Sequence, residues 1–197
     1  MRRIQGLCLL PQLPGICRGY PCAAWGCAYT AKAAFLIRGQ TLHKLFHLPI
    51  KNNRRPFLPL NGESLKDLQN IFQNVTTVII NEFPMVSQTM LGWIDCRLRQ
   101  AKGISAPFGG VSVLLVGDPA QLPPVGGCSL HEPPSNKPYS MEVFAAYLGF
   151  TRAINLTEVR RQLIIPGDKD QMRFVDLLNK LRKGLFSMIE SPSNTNY

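Results

Sequence analysis

Apolar positions along this chain form two patterns, short unbroken runs and stretches with helical spacing. The runs at residues 75–80 and 111–116 are rich in Val, Ile and Leu, which is typical of strands covered on both faces in a parallel sheet. Helical spacing predicts helices around them. The predicted helices cover residues 32–37, 65–72, 87–98, 141–148 and 171–183, and a third strand is expected at 153–156. Alternating strands and helices indicate an α/β domain with a largely parallel sheet.

The helical pattern also predicts which side chains are buried. The helix that follows the first strand begins near Ser87, a residue type favoured at N-caps. Its outward positions are expected to turn Asp95, Arg97 and Arg99 to solvent. Trp93 and Phe108 are candidates for base stacking on single-stranded DNA. Trp93, however, is adjacent to the buried stripe of this helix, which favours packing. The positions expected to be buried are Met90, Leu91, Ile94 and Leu98 here, and Met172, Val175, Leu178 and Leu181 in the last helix.

Composition divides the chain into three segments. Residues 1–29 are rich in Pro, Gly and Cys and show neither pattern, so no packed element is expected there. Residues 30–184 carry the predicted α/β domain, in which Gly39 is expected to end the short first helix. Residues 185–197 are expected to be a disordered tail.

Charge is distributed unevenly along the sequence. The net charge is +10, and residues 1–62 contain nine Lys and Arg with no acid, because the first acidic residue is Glu63. This asymmetry indicates a polyanionic partner, of which nucleic acid is the commonest, with a solvated basic surface as the alternative. No apolar run approaches the roughly 20 residues that span a bilayer. We therefore expect a soluble, intracellular protein without a membrane partner.

The six cysteines do not form a recognisable metal or disulfide framework. Cys8, Cys17, Cys22 and Cys27 lack the paired short spacing of zinc sites, and no His lies near them. All six are interpreted as reduced thiols of a cytosolic or nuclear protein, with metal binding as the less favoured alternative.

Both strong strand predictions end at a carboxylate. Asn81 and Glu82 follow the first run, and Gly117 and Asp118 follow the second. In a parallel sheet, functional groups gather at the carboxyl ends of the strands, so Glu82 is expected at a ligand-binding edge. The alternative is that Glu82 caps the following helix. Two such strand ends suggest a phosphate-handling ATPase, in which acids serve Mg²⁺ and the attacking water, and a polar residue senses the γ-phosphate.

Five segments in order sharpen this interpretation. They read Gly-Gln-Thr-Leu-His at residues 39–43, Val-Ile-Ile-Asn-Glu-Phe-Pro-Met-Val-Ser at 78–87, Phe-Gly-Gly at 108–110, Gly-Asp-Pro-Ala-Gln-Leu-Pro-Pro-Val at 117–125 and Leu-Thr-Glu-Val-Arg-Arg-Gln at 156–162. Together they resemble the petite-integration-frequency (PIF) family of DNA helicases, RecD-like members of helicase superfamily one. The resemblance implies a RecA-like (P-loop NTPase) fold and a nuclear protein, with mitochondrial location as the alternative. It also implies 5′ to 3′ ATP-dependent DNA unwinding in repair, recombination or telomere maintenance.

The resemblance also implies roles for individual residues. Glu82 would orient the hydrolytic water, Gln121 would read the γ-phosphate, and Arg161 would act as an arginine finger. Asn81 and Glu82 would lie at the Mg²⁺ ion that accompanies ATP. Asp118 would support this nucleotide site from the end of its strand.

A second set of residues would contact single-stranded DNA. The family motif implies this role for Gln40, Thr41 and His43, in agreement with the basic first third of the chain. The alternative for His43 is packing against Phe46 and His47. Arg54 and Arg55, in a basic, proline-containing loop, are equally compatible with a phosphate contact and with solvation.

The sequence departs from the family in ways that affect ATP. Asn81 stands where the family has Asp, so the charge that offsets Mg²⁺ is reduced. No Gly-x-x-x-x-Gly-Lys followed by Ser or Thr occurs, although this loop holds the phosphates. A second RecA-like domain is not found either. The isolated chain is therefore expected to be an inactive fragment of a helicase, with a nucleotide-independent DNA-binding remnant or a non-functional truncated product as alternatives.

Overall fold

The computed structural model describes residues 24–49, 58–134, 136, 140–156 and 168–182. The chain divides into two compact units, Met1–Leu156 and Thr157–Tyr197. The described elements of the first unit are β1 (Ala24–Ala28), α1 (Ala31–Leu36), β2 (Gln40–Thr41), α2 (Leu42–Leu45), α3 (Gly62–Phe72), β3 (Thr77–Asn81), α4 (Gln88–Lys102), β4 (Ser112–Val116) and α5 (Ser140–Leu148). Two 3₁₀ turns, Phe83–Met85 and Pro107–Gly110, flank α4. In the second unit the described helix is α6 (Lys169–Arg182).

The four described strands form one parallel sheet in the order β2–β1–β3–β4. Its register aligns Thr41, Ala28, Asn81 and Val116 in one row across the four strands. The carboxyl ends of all four strands therefore lie side by side at one edge. The predicted α/β class with a parallel sheet is confirmed.

Apolar side chains cover the two faces of the sheet unequally. Val78 and Ile80 of β3 are fully buried in a large cluster shared with α2, α3, α4 and α5. On the other face, Ala28 of β1 packs with Ala33 and Ala34 of α1 in a small cluster of its own. Burial of apolar area drives both contacts, but the larger cluster provides most of it.

Helix α4 is buried on more sides than the sequence predicted. Asp95 and Arg97 were expected to point to solvent, yet they are only 8% and 4% exposed. Arg97 donates hydrogen bonds to the carbonyl oxygens of Phe46 at 3.2 Å and Leu58 at 2.9 Å. Asp95 accepts the backbone N–H of Phe108 and forms a 2.8 Å ion pair with the partly exposed Arg99. The prediction was wrong because neighbouring loops supply polar partners that make burial of these charges possible.

Three predictions about strands also need correction. β1 lies within residues 1–29, where no packed element was expected. The strand was missed because Ala-Trp-Gly-Cys-Ala has no β-branched residue to indicate it. β4 is the edge strand of the described sheet, and its Leu114 is 48% exposed rather than buried. Residues 153–156 do not form a strand.

The helix predictions fare better in the first unit than in the second. Ser87 is confirmed as the N-cap of α4, because its Oγ accepts the Met90 N–H at 3.2 Å. In α6, Met172 is 54% and Leu178 is 36% exposed, so the burial predicted for them is wrong. Within the described ranges, no helix combines the length and apolarity that crossing a bilayer requires.

Candidate functional site at the carboxyl edge of the sheet

The residues singled out from the sequence follow the aligned row of strand ends. Glu82 comes directly after Asn81 of β3, and Gly117 and Asp118 come directly after Val116 of β4. Asn81 and Val116 are partners in the register of the two strands. Thr41 ends β2 at the opposite side of the same row. We call residues 81–82 and 117–118 the acidic edge, and residues 24–49 the basic region.

Glu82 has an unusual backbone conformation at the end of β3. Its φ of 58° and ψ of 43° place it in the left-handed region, which a residue with a Cβ enters at a cost of roughly 1–2 kcal/mol. Glu82 precedes the 3₁₀ turn Phe83–Met85, but its side chain makes no capping hydrogen bond there. The capping alternative is therefore wrong for this turn. Such strain is concentrated at functional positions, and it turns the chain sharply at the sheet edge.

Gly117 brings the ends of β3 and β4 into contact. A Cβ at this position would lie 2.8 Å from Cδ of Pro84 and 3.1 Å from the Phe83 nitrogen. Only glycine allows the chain after β4 to pass this close to the turn that follows Glu82. The two halves of the acidic edge are consequently held together by backbone packing.

Asp118 organises the loop that carries Gln121. The Asp118 side chain is buried, and its Oδ1 accepts the Ala120 N–H at 3.1 Å, while its carbonyl oxygen accepts the Gln121 N–H at 2.8 Å. Gln121 itself is exposed. It lines a shallow depression together with Met85, Ala120, Leu122 and Pro123. The loop thus brings Gln121 next to Met85, three residues beyond Glu82.

Gln88 anchors the far end of the same loop, a role that the sequence did not reveal. Its side-chain amide donates to the carbonyl oxygens of Ser129 at 3.1 Å and Glu132 at 2.8 Å, and its own backbone N–H donates to that of Cys128 at 3.0 Å. The side chain is almost completely buried. A polar residue in the first turn of a helix gives no sequence signal for this role, because its partners are distant backbone groups.

The predicted DNA-contacting residues lie at the basic side of the edge. Thr41 caps α2, because its Oγ1 accepts the Lys44 N–H at 3.3 Å, and Gln40 pairs with Cys27 in the sheet. His43 makes an edge contact with the Tyr29 ring, with centroids 5.8 Å apart. Partial burial lowers the pKa of His43, so the imidazole is neutral at neutral pH.

The candidate residues for base stacking do not lie at the carboxyl edge of the described sheet. Trp93 is 3% exposed in the core, which confirms the packing interpretation. Phe108 is 7% exposed and meets Phe150 edge to face, so it provides no free surface for a base. Arg54, Arg55 and Arg161 lie outside the described residues.

A parallel sheet with polar and acidic residues at its strand ends is typical of nucleotide-handling α/β domains, a class that includes the RecA-like fold. The family of PIF1-like helicases matches residues 19–191. The chain therefore belongs to the PIF1-like helicase family.

Curated relatives agree with this assignment. The chain is 31% identical over 157 residues to the ATP-dependent DNA helicase RRM3 of Saccharomyces cerevisiae, covering 80% of this chain and 20% of that protein. It is 30% identical to the ATP-dependent DNA helicase Pif1 of a Psychrobacter species, covering 79% of this chain and 23% of the relative. The chain thus spans about a fifth of the length of these relatives.

Solved structures confirm the fold. Pif1 helicase from Bacteroides in complex with ADP-AlF3 and ssDNA is 27% identical, with a TM-score of 0.58, over 84% of this chain and 38% of that one. Bacteroides Pif1 bound to ssDNA is 28% identical, with a TM-score of 0.57. The chain corresponds to a little over a third of each solved protein, covering 36% of the second.

Proposed function

We propose that this chain provides the water-orienting acid and part of the single-stranded DNA surface of a 5′ to 3′ ATP-dependent DNA helicase. The observation that carries the proposal is the strained Glu82, which leaves β3 directly beside Gly117 and Asp118 at the end of β4. The names of the relatives support the activity, and the ADP-AlF3 and ssDNA bound to a solved neighbour support both ligands.

In the proposed reaction, Glu82 orients the water that attacks the γ-phosphate. A carboxylate in this place accepts a proton from the water and directs its lone pair along the line of attack. Gln121, on the loop beside Met85, senses the γ-phosphate through its amide. Arg161 is proposed to stabilise charge on the transferring group, as an arginine finger does.

The residues at the edge fit Mg²⁺ only together with a nucleotide. Mg²⁺ in proteins commonly takes one or two carboxylates, with phosphate and water oxygens as its other ligands. Glu82 supplies one carboxylate and Asn81 an uncharged amide, which can hydrogen-bond to a metal-bound water. Among the described residues, no group of three His, Cys, Asp or Glu is placed to hold a metal. Because Asn81 brings no negative charge, the phosphates of the nucleotide would have to balance more of the charge of Mg²⁺.

The charges around the edge favour DNA over free ATP as the ligand of the isolated chain. The basic region contains Lys32, Arg38 and Lys44 and no acid, whereas residues 75–96 and 111–134 contain no Lys or Arg. A triphosphate at the acidic edge would meet no Lys or Arg from these two segments, and the 197 residues contain no Gly-x-x-x-x-Gly-Lys followed by Ser or Thr. This observation favours a second candidate function, nucleotide-independent binding of single-stranded DNA by the chain alone.

The test is to titrate the full 197-residue chain with labelled Mg²⁺-ATP and with labelled single-stranded DNA at two salt concentrations. We expect DNA binding that weakens steeply with salt, because phosphate contacts release counterions, and weak or undetectable ATP binding. Tight ATP binding would contradict the role assigned to the phosphate loop. If neither ligand binds and thermal unfolding is broad, the chain is a non-functional product.

Hydrolysis provides a separate test of Glu82. If turnover is measurable in the chain or in a longer form of it, Glu82→Gln is expected to lower it by about 100-fold or more, with DNA affinity unchanged. Equal turnover in this isosteric variant would exclude Glu82 as the water-orienting acid. Asn81→Asp alone is expected not to start hydrolysis in the 197-residue chain.

A further inference from the structure

Phe35 is the most exposed large apolar side chain among the described residues. It lies on α1 and is 82% exposed. The six-residue helix is fixed without it, because Ala33 and Ala34 face the sheet and Thr30 caps the first turn at 3.2 Å. An aromatic ring in water therefore serves no packing role in the described part of the chain.

Two cations flank this ring. Lys32 precedes Phe35 by three residues, which places both on one face of the helix. Arg38 follows α1, and its backbone N–H donates to the carbonyl oxygen of Phe35 at 3.0 Å. Both cations are exposed, and the basic region around them contains no carboxylate.

Arg38 also occupies a backbone position that glycine normally takes. α1 ends in a Schellman motif, in which the Arg38 N–H bonds the Phe35 carbonyl and the Gly39 N–H bonds the Ala34 carbonyl at 2.9 Å. Arg38 is the left-handed residue of this motif, with φ of 53°. Gly39, predicted to be the helix terminator, is needed for another reason, because a Cβ there would overlap the carbonyl oxygen of Gly26. Because this conformation costs stability, Arg38 is a candidate for a functional role.

We propose that Phe35, between Lys32 and Arg38, is a nucleobase-stacking platform that extends the single-stranded DNA surface beyond Thr41 and His43. This inference rests on the proposed function for its ligand. A base offers a π-face to Phe35 while the flanking phosphates meet the two cations. Duplex DNA keeps its bases stacked, so the platform selects single strands. The surrounding positive charge favours a polyanion over an apolar protein partner or a second copy of the chain.

Base stacking and phosphate binding can be separated with two oligonucleotides. The full-length chain is titrated with a labelled oligothymidine of about 12 nucleotides, within the size range of single-strand sites, and with an abasic strand of equal length. Phe35→Ala is expected to weaken oligothymidine binding by about tenfold and to leave abasic binding unchanged. The control is Leu36→Ala, which truncates the adjacent side chain, 66% exposed, and should alter neither affinity.

The cations have a different expected signature. Lys32→Gln should reduce the slope of log affinity against log salt by about 0.7, the value for one phosphate contact on a single strand, whereas Phe35→Ala should not change the slope. Arg38→Gly should weaken DNA binding while the melting temperature stays equal or rises, because glycine relieves the left-handed strain. Unchanged affinity in Arg38→Gly would remove this residue from the platform.

The outcomes distinguish this inference from the proposed function. Stacking is refuted if the native chain binds the oligothymidine but Phe35→Ala weakens its binding and abasic binding equally, or changes neither. Binding of DNA by the chain would still stand. If the native chain binds no single-stranded DNA, both are refuted. If Phe35→Ala converts a dimer to a monomer in sedimentation, the ring is a contact between copies and the platform is wrong.

Discussion

The basic region and the acidic edge share one row of strand ends but carry opposite charges. In the basic region, Lys32, Arg38 and Lys44 occur without an acid, whereas Glu82 and Asp118 follow strands whose surroundings, residues 75–96 and 111–134, contain no Lys or Arg. Both sides place a non-glycine residue in the left-handed region, Arg38 on one and Glu82 on the other. The segments that carry β1 and β2 therefore provide cations for a polyanion, whereas the ends of β3 and β4 provide carboxylates. Four predictions test this division, starting with the largest effect.

Arg97 connects the basic region to the body of the domain, so its replacement is expected to destabilise the domain. Arg97→Leu removes the donor to the carbonyls of Phe46 and Leu58. The loss of both bonds, one of them to the buried carbonyl of Phe46, is expected to lower the free energy of unfolding by about 2–4 kcal/mol. Urea unfolding measures this loss, and Lys66→Leu on the exposed face of α3 serves as the control. A midpoint as high as that of the control would contradict the anchoring role.

Gly117 tests whether the acidic edge depends on close backbone packing. Gly117→Ala should force Phe83 and Pro84 away and cost about 1–3 kcal/mol, because the clash involves backbone and a rigid ring. Single-stranded DNA affinity per folded molecule should stay constant, since the basic region is separate. Gly103→Ala, where a Cβ meets nothing within 4 Å, provides a comparison in which only the left-handed φ is strained. Equal stability of Gly117→Ala and the native chain would refute the contact.

Replacement of Gln88 should destabilise the loop that carries Gln121 more than the rest of the domain. Gln88→Leu keeps the volume but removes the bonds to the carbonyls of Ser129 and Glu132, with an expected loss of about 1–2 kcal/mol. Hydrogen exchange should accelerate selectively in residues 118–134. If exchange rises equally in β1 and β3, Gln88 supports the whole domain and does not position this loop. Gln88→Glu gives a second variant, because a carboxylate cannot donate to carbonyls.

Replacement of His43 is expected to give the smallest effect, which is limited to the pH dependence of stability. Because burial lowers its pKa in the folded chain, the unfolded chain binds the proton more readily. His43 thus contributes stability that is present above the unfolded pKa of about 6.5 and is lost as pH falls toward the lower folded value. Melting between about pH 7.5 and 5.5 should fall more in the native chain than in His43→Gln. An identical pH dependence in the two proteins would contradict burial of the imidazole.

The sequence predicted those parts of the molecule that depend on local pattern. β-branched runs marked β3 and β4, Ser87 marked the start of α4, and the strand-end rule placed Glu82 and Asp118 on one edge. Features that depend on distant backbone partners were not predicted. Asp95, Arg97 and Gln88 are polar residues whose burial is made possible by loops from elsewhere in the chain. β1 was missed because its residues carry weak strand propensity and are held by pairing on both sides.

The division of the sheet edge is tested most directly by the salt dependence of single-stranded DNA binding in three forms of the full chain. These are the native chain, a triple variant with Lys32→Gln, Arg38→Gln and Lys44→Gln, and Glu82→Gln. The triple variant is expected to lose affinity and to reduce the slope of log affinity against log salt by about 2, at about 0.7 for each phosphate contact. Glu82→Gln is expected to retain the native slope and affinity. A native slope in the triple variant, or an altered slope in Glu82→Gln, would contradict the account.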